Sequence, residues 1–177
     1  MTEQQVNNLV LILNKMKTLK RSSWIRQGIR QAESVADHSC SLAILTILLA
    51  PPDLDQLKCL KMALLHDLPE TYCGDVVRDE MAQKERFHLE HTAMKTIAEK
   101  IGMPELVDIY DEYETSASPE AQFVKALNKL DNVFTAHLYQ NQTNNKTLIC
   151  ECASAAYPAL VGARSSKELL NILQALF

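Results

Sequence analysis

The chain has 177 residues, of which 47% are hydrophobic and 23% are charged, and its formal net charge is −4. This length and composition favour one compact globular domain and exclude a disordered chain. The mildly acidic balance excludes the broad basic surface that nucleic-acid backbones require, so we expect no nucleic-acid partner. Any anionic ligand is expected to be small and held by a few local cations.

The sequence shows neither a targeting signal nor a membrane span. The first 20 residues mix polar and apolar side chains, and no cleavage-site pattern follows. The longest apolar run, 43–50, is interrupted by Thr46 and is far too short to cross a bilayer. The five cysteines are odd in number, and we interpret them as reduced thiols of a cytoplasmic protein. Cys150 and Cys152 have the wrong spacing for a zinc knuckle and favour buried or idle thiols.

Helical periodicity dominates the chain, and no period-2 strand pattern appears. The basic stretch 20–32, which carries Arg21 and Trp24, is expected to be irregular. Capping residues, prolines and apolar spacing predict these helices in chain order: 2–19, 34–50, 53–66, 80–100, 104–114, 118–139 and two more after 146.

Four of these helices carry recognisable start signals. Thr2 with Gln5 predicts a capping box for the first helix, and Ser34 with Asp37 predicts one for the second. Ser118 followed by proline predicts the start of the 118–139 helix. Ser165 with Glu168 predicts the start of the last one.

The strongest chemical signal is the pair His66-Asp67 at the end of an apolar helix. At a helix C-terminus both side chains can turn toward one cation, and imidazole with carboxylate suits a divalent transition metal. Taken alone, the pair is more typical of a histidine at the negative end of the helix dipole beside a solvated aspartate. His38, in the first turn of a neighbouring apolar helix, supplies a second imidazole. An isolated histidine at that position usually has a structural role. The metal-site hypothesis therefore rests on His38, His66 and Asp67 taken together.

The order of several motifs resembles the HD-domain phosphohydrolases, most closely their compact 5′-deoxynucleotidase branch. The motifs are ESVADHS (33–39), LLHDLPET (64–71), GD (74–75) and VKALNKLDN (124–132), within roughly residues 20 to 140. The resemblance implies an all-α HD-domain helical bundle, formed as a single domain over 1–177 with the C-terminal helices packed on the core. It implies a phosphomonoesterase acting on (deoxy)nucleoside 5′-monophosphates, with one divalent metal (Co, Mn, Fe, Ni, Zn or Mg). It also implies a homodimer, for which the 80–100 helix and the apolar C-terminal helix are the expected contact regions.

The same resemblance implies roles for individual residues. His38, His66 and Asp67 match the metal ligands. Glu70 matches the catalytic carboxylate that handles the attacking water or the leaving-group proton, and Asp75 matches a carboxylate that acts in catalysis and positions the substrate. Arg21 matches the arginine that binds the substrate phosphate, and Trp24 matches an aromatic residue near the sugar.

One position departs from the family pattern. The family places an aspartate, its fourth protein ligand, where this chain has Asn128. An amide oxygen can bind a metal but brings no negative charge, so we expect Asn128 in the fourth position with weaker metal binding. Asp131, three residues later on nearly the same helix face, is the alternative ligand.

Two other readings remain open at this level. A weakened metal site would leave a protein that binds a nucleotide without hydrolysing it, and a different pocket would select another small phosphorylated metabolite. His88 and His91, beside Glu85 and Glu90, are weak candidates for a second metal and more typical of a solvated helix face.

Overall fold

The structure, a computed structural model, describes residues 1–76 and 81–177. Over these residues the chain forms helices joined by short loops, with a single isolated antiparallel bridge between Lys20 and Ser34. The helices are α1 Glu3–Thr18, α2 Ser22–Arg26, α3 Val35–Leu49, α4 Gln56–Leu65, α5 Glu70–Cys73, α6 Gln83–Ile101, α7 Glu105–Thr115, α8 Pro119–Tyr139, α9 Leu148–Gly162 and α10 Ser166–Gln174. The all-α prediction is therefore confirmed.

The predicted start signals are confirmed for three of the four helices. Complete capping boxes begin α1 at Thr2 and α3 at Ser34, and the Ser118 side chain accepts a hydrogen bond at the start of α8. The prediction at Ser165 is wrong, because this residue lies in the left-handed region (φ 56°) and its side chain makes no capping hydrogen bond. A serine side chain caps a helix only from an extended backbone, which the chain does not adopt here.

Other boundaries differ from the sequence prediction. The stretch 20–32 is not wholly irregular, since α2 occupies its first part. Residues 70–73 form the short helix α5. The sequence predicts these residues to be loop between the helices 53–66 and 80–100. The predicted start of the long polar helix at Glu80 lies outside the described residues, and the helix α6 begins at Gln83.

Helix α8 is the centre of the bundle and packs against α3, α4, α7, α9 and α10. Its buried positions are almost all apolar because a helix surrounded on several sides needs apolar side chains around most of its circumference. The polar exceptions are Thr135 and Asp131, and Asp131 places a buried carboxylate in the middle of this helix.

The apolar interior consists of two clusters. One lies among α3, α4, α8, α9 and α10 and includes Leu42 and Met62. The other lies among α1, α6 and α7 and includes Val35 and Leu68. Two chain segments pass from one cluster to the other, 35–42 and 62–68, and these are the segments that carry the two histidines of the motif.

No helix of the described residues is both long enough and apolar enough to cross a bilayer. All five cysteines lie in the described ranges and are free thiols, as predicted.

The capping box of α3 provides a test of how this fold is stabilised. We expect Ser34→Ala to lower the free energy of unfolding by about 1 kcal/mol, because it removes the acceptor for the Asp37 amide. Urea denaturation followed by circular dichroism measures the change. Ser165→Ala is the matched control and should change stability by less than about 0.5 kcal/mol, because no cap is lost. Equal losses in the two variants would contradict the capping argument.

Candidate metal centre and cavity

Two helix ends bring the motif residues together. His38 lies in the first turn of α3, His66 is the residue that ends α4, and Asp67 follows directly. Because α3 and α4 pack against each other, the start of one and the end of the other meet in the interior. His38 is fully buried and His66 is 5% exposed.

The three side chains surround one small space. Oδ2 of Asp67 lies 3.2 Å from Nε2 of His66 and 3.7 Å from Nε2 of His38, and all three potential ligand atoms lie within 4.8 Å of one another. Two ligands bound at about 2.1 Å with bond angles of about 90–110° are separated by about 3.0–3.4 Å. The 3.2 Å separation lies within this range and the 3.7 Å separation is wider, so a single divalent ion would draw the His38 imidazole slightly inward.

The hydrogen bonds of the two imidazoles support the same fit. Nδ1 of His66 donates to the carbonyl of Ala63 at 3.0 Å, and Nδ1 of His38 donates to Oδ2 of Asp131 at 2.7 Å. Each ring thus carries its proton on Nδ1 and presents the lone pair of Nε2. Both Nε2 atoms are buried, and in the part of the chain that the structure describes neither has a hydrogen-bond partner. A buried nitrogen without a partner is costly, and a metal ion would satisfy both.

The electrostatics of the centre favour a neutral His38 and a charged Asp67. Burial lowers the pKa of His38, and the nearby Arg21 lowers it further. Burial would raise the pKa of Asp67, but His66 and Arg21 outweigh it and hold that pKa well below its usual range. Neutral imidazole and ionised carboxylate are the forms that bind metals.

Arg21 reaches this centre from the start of α2. Its Nη1 lies 2.7 Å from Oδ2 of Asp67 and 3.8 Å from Oε1 of Glu70. Burial alone would lower the pKa of Arg21, but Asp67, Glu70 and Asp75 raise it, so the guanidinium stays charged. The predicted phosphate-binding arginine is therefore adjacent to the predicted ligands.

The backbone around Arg21 is fixed at several points. Its amide donates to the carbonyl of Glu33 at 3.0 Å, and the Val35 amide donates to the Leu19 carbonyl at 2.9 Å. These two bonds close the 20–34 segment at its base and hold Arg21 beside the first turn of α3.

Glu70 begins α5, one turn beyond Asp67, and is 8% exposed. Its Oε2 is buried and has no hydrogen-bond partner among the described residues. Burial raises the pKa of Glu70 well above its ordinary value, Asp67 adds to the rise, and Arg21 opposes it. A carboxyl group with a raised pKa is suited to transferring a proton near neutral pH.

Asp75 lies beside the start of α2, where its Oδ2 accepts a hydrogen bond from the Ser22 amide at 2.6 Å. This contact joins the loop after α5 to the helix that follows Arg21. Asp75 therefore has a positioning role that the motif alone did not indicate, and its predicted roles in catalysis and substrate binding stay predictions.

Trp24 is more enclosed than a substrate-binding aromatic needs to be. It is 3% exposed, its indole N–H donates to Glu33 at 2.8 Å, and its ring meets Tyr139 edge-on at 5.6 Å. Any contact between Trp24 and a sugar would therefore use the small part of the ring that borders the cavity. That contact stays a prediction.

Asn128 and Asp131 have different surroundings. Nδ2 of Asn128 donates to the Tyr113 hydroxyl at 2.9 Å, and its side chain borders the same cavity as His66 and Asp67. Asp131 binds the Nδ1 edge of His38, which faces away from the Nε2 that approaches Asp67. This placement disfavours Asp131 as a direct ligand, while ligation by Asn128 stays a prediction.

A cavity of about 830 Å³ opens over His66 and Asp67. The walls combine charged and amide side chains with a few apolar ones. Those that border it from α6, α7, α8 and α9 include Arg86, Glu90, Tyr113, Glu114, Lys125, Asn128, Lys129, Asn132, Leu148, Glu151 and Cys152. This volume is in the range of small-molecule sites.

Several of these wall residues were not singled out from the sequence. Glu90 was named only beside the weak second-metal candidate, and burial raises its pKa to about 7 even though Arg86 opposes the rise. Tyr113 is another, with its ring 5.3 Å from that of His66. The only available signal was the spacing of Gln83, Arg86 and Glu90 along one face of α6. This spacing does not predict which part of the protein that face lies against.

The structure does not support the second metal site considered for His88 and His91. Over residues 1–76 and 81–177, the group of His38, His66 and Asp67 is the one that brings three such ligand atoms together. His91 instead lies 3.5 Å from Asp111, on the face between α6 and α7.

Comparisons with known proteins agree with this geometry. A family model described as HD domain matches residues 13–155. A 5′-deoxynucleotidase of Schizosaccharomyces pombe is 33% identical over 76% of this chain and 72% of its own length. Another, from Dictyostelium discoideum, is 34% identical over 74% of this chain and 75% of its own. A crystal structure of a Pyrococcus horikoshii protein superimposes with a TM-score of 0.81 at 29% identity, covering 97% of both chains. The chain therefore belongs to the HD-domain family.

Proposed function

We propose that this HD-domain protein is a metal-dependent phosphohydrolase that releases phosphate from deoxynucleoside 5′-monophosphates. The two buried, unpartnered Nε2 atoms that face Asp67 at the base of a cavity carry this proposal. The names of the 5′-deoxynucleotidase relatives support the substrate class.

His38, His66 and Asp67 would hold the cation, with Asn128 as the fourth protein ligand. When bound, a divalent ion supplies Lewis-acid stabilisation of the phosphoryl oxygens and lowers the pKa of water. The donor set of two imidazoles, one carboxylate and one amide suits Mn, Fe, Co, Ni or Zn better than Mg, which prefers oxygen ligands.

Arg21 would bind the phosphate and orient it. A phosphate monoester is a dianion near neutral pH, and a guanidinium offers it two parallel N–H donors. In the structure Nη1 of Arg21 is bound to Asp67, so the phosphate would compete with that carboxylate for the same donors.

Glu70 would move the proton. Hydrolysis breaks the bond between phosphorus and the 5′-oxygen, and that oxygen must gain a proton as the nucleoside leaves. The raised pKa of Glu70 favours a carboxyl group that still holds this proton, and the attacking water can return one afterwards. Its position one turn after Asp67 keeps it beside Arg21 and hence beside the phosphate.

A matrix of metals and substrates tests the proposed function. We expect phosphate release from deoxynucleoside 5′-monophosphates to disappear after chelator treatment and to return with Mn²⁺ or Co²⁺. Release is measured colorimetrically for each pairing of a metal with a 5′-monophosphate, with ribonucleotides and sugar phosphates as comparison substrates. Preference for a sugar phosphate would redirect the proposal to another phosphorylated metabolite. Full activity without any metal would overturn it.

The variant Glu70→Gln tests the proton-transfer role. We expect kcat to fall at least about tenfold while circular dichroism stays unchanged, because the amide keeps the shape of the side chain but cannot transfer a proton. Glu99→Gln, an exposed change on α6, is the matched control and should keep wild-type turnover. Unchanged turnover in Glu70→Gln would remove this residue from the mechanism.

A second candidate function follows from Asn128. With a neutral fourth ligand and a weakened metal site, the protein would bind a nucleotide without hydrolysing it. Bound nucleotide without turnover, under every metal of the matrix, would favour this function. The supporting observation is the small negative charge of the proposed ligand set, which contains only one carboxylate.

The variant Asn128→Asp tests the fourth ligand. We expect its affinity for Mn²⁺ to rise at least about tenfold, because a carboxylate replaces an amide at the ion. Titration calorimetry with metal alone measures the affinity. Asn132→Asp adds the same charge one turn further along the cavity wall and should change the affinity much less. Equal gains in the two variants would show a general charge effect and no ligation by residue 128.

We also propose that the protein works in the cytoplasm as a homodimer. The expected contact region needs revision, since Leu169 and Leu173 of the C-terminal helix are buried in the core of the chain itself. Apolar side chains that remain exposed, at Ile44, Ile47 and Leu48 of α3, support a contact there instead. Light scattering during size exclusion gives the oligomeric state.

A further inference from the structure

Asp131 is a buried acid that the proposed mechanism does not use. It is 1% exposed, in the middle of α8, and both of its carboxylate oxygens are engaged with α3. Oδ2 accepts from Nδ1 of His38 at 2.7 Å, and Oδ1 accepts from the Ser41 hydroxyl. A buried carboxylate is costly unless it is paired and hydrogen-bonded, and these two contacts satisfy that condition.

The contact to His38 determines which ring nitrogen is available. A carboxylate accepts but does not donate, so Nδ1 must carry the proton and Nε2 must carry the lone pair. Ser41 donates to the other carboxylate oxygen and so fixes the plane of the acid. Because α3 and α8 are both rigid helices of the core, the ring of His38 has little freedom to rotate.

The two histidines of the centre differ in the group that accepts the hydrogen bond from Nδ1. His66 donates to the neutral carbonyl of Ala63, within its own helix, whereas His38 donates to a charged group on another helix. A carboxylate partner makes an imidazole a stronger metal ligand than a carbonyl partner does. The ligand set with Asn128 brings one negative charge, from Asp67, and Asp131 adds a second one through the His38 ring.

We propose that Asp131 is a positioning residue that fixes the tautomer and orientation of His38 and strengthens metal binding from outside the coordination shell. The proposal rests on the proposed metal site. It does not require that the substrate be a nucleotide.

The experiment measures the binding of Mn²⁺ alone by titration calorimetry. We expect Asp131→Asn to raise the Kd about 10- to 100-fold, since the amide preserves the shape but removes the charge. Ser41→Ala keeps the charge and loses one orienting bond, so a smaller rise of about threefold is expected. Asp111→Asn is the matched control, because it removes the acid of a histidine–carboxylate pair that lies outside the metal centre. It should leave the Kd unchanged.

Nitrogen-15 NMR of the metal-free protein reports which ring nitrogen of His38 carries the proton. This tautomer would not change in the variants if Asp131 served only to stabilise the fold. We expect His38 to show the Nδ1-protonated tautomer in the wild type and to lose this preference in Asp131→Asn. If Asp131→Asn does not fold, the wild-type tautomer and the Ser41→Ala titration still decide. A His38 ring protonated at Nε2, or a Kd in folded Asp131→Asn within threefold of wild type, would overturn the proposal.

Failure of the proposed function is distinguishable from failure of this inference. If the wild-type protein binds Mn²⁺ but releases phosphate from no substrate, the proposed hydrolase function is contradicted. The Mn²⁺ titration of Asp131→Asn then still supports or overturns the proposed role of Asp131. Conversely, full turnover together with an unchanged Kd in Asp131→Asn would contradict the inference alone.

Discussion

The centre of this protein depends on a partly buried negative charge, that of Asp67, held between two imidazoles and one guanidinium. Apolar clusters flank these groups on two sides, so each polar atom that is cut off from water there needs a partner. Nδ1 of each histidine has a protein partner, whereas the two Nε2 atoms have none within residues 1–76 and 81–177. Two buried ring nitrogens left in this way cost about 1–3 kcal/mol each, and a cation is the ligand that satisfies both together with the carboxylate. The proposed chemistry follows from that arrangement.

The segment 20–34 shows how the fold serves this centre. The segment contributes Arg21, but it has only the short helix α2 and no extensive core of its own. Backbone hydrogen bonds close it at its base, Asp75 caps the start of α2, and Glu33 holds the Trp24 indole. These contacts keep the guanidinium beside Asp67, so that the proposed phosphate binding would not depend on ordering a loose loop.

Much of the fold was predictable because its signals are local. The capping boxes at Thr2 and Ser34 and the Ser118-Pro119 start need only residues three positions apart, and the structure contains all three. The clustering of His38 with His66 and Asp67 was also predicted, because motif order and helix ends indicated it. Its partners were not, since the bond between His38 and Asp131 joins residues 93 positions apart. Neither periodicity nor spacing reports which face of α8 meets α3. Ser165 failed for a related reason, as its side-chain chemistry fits a cap but its backbone does not.

The position of the centre between the two apolar clusters has a thermodynamic consequence. His38 lies where α3 passes from one cluster to the other, and His66 with Asp67 lies where the chain leaving α4 does the same. A cation bound there would act as a cross-link between two halves that otherwise adhere through apolar contacts. Binding that is confined to the native state adds to the free energy of unfolding in proportion to the logarithm of metal concentration. The resistance of this protein to heat would thus be coupled to metal supply.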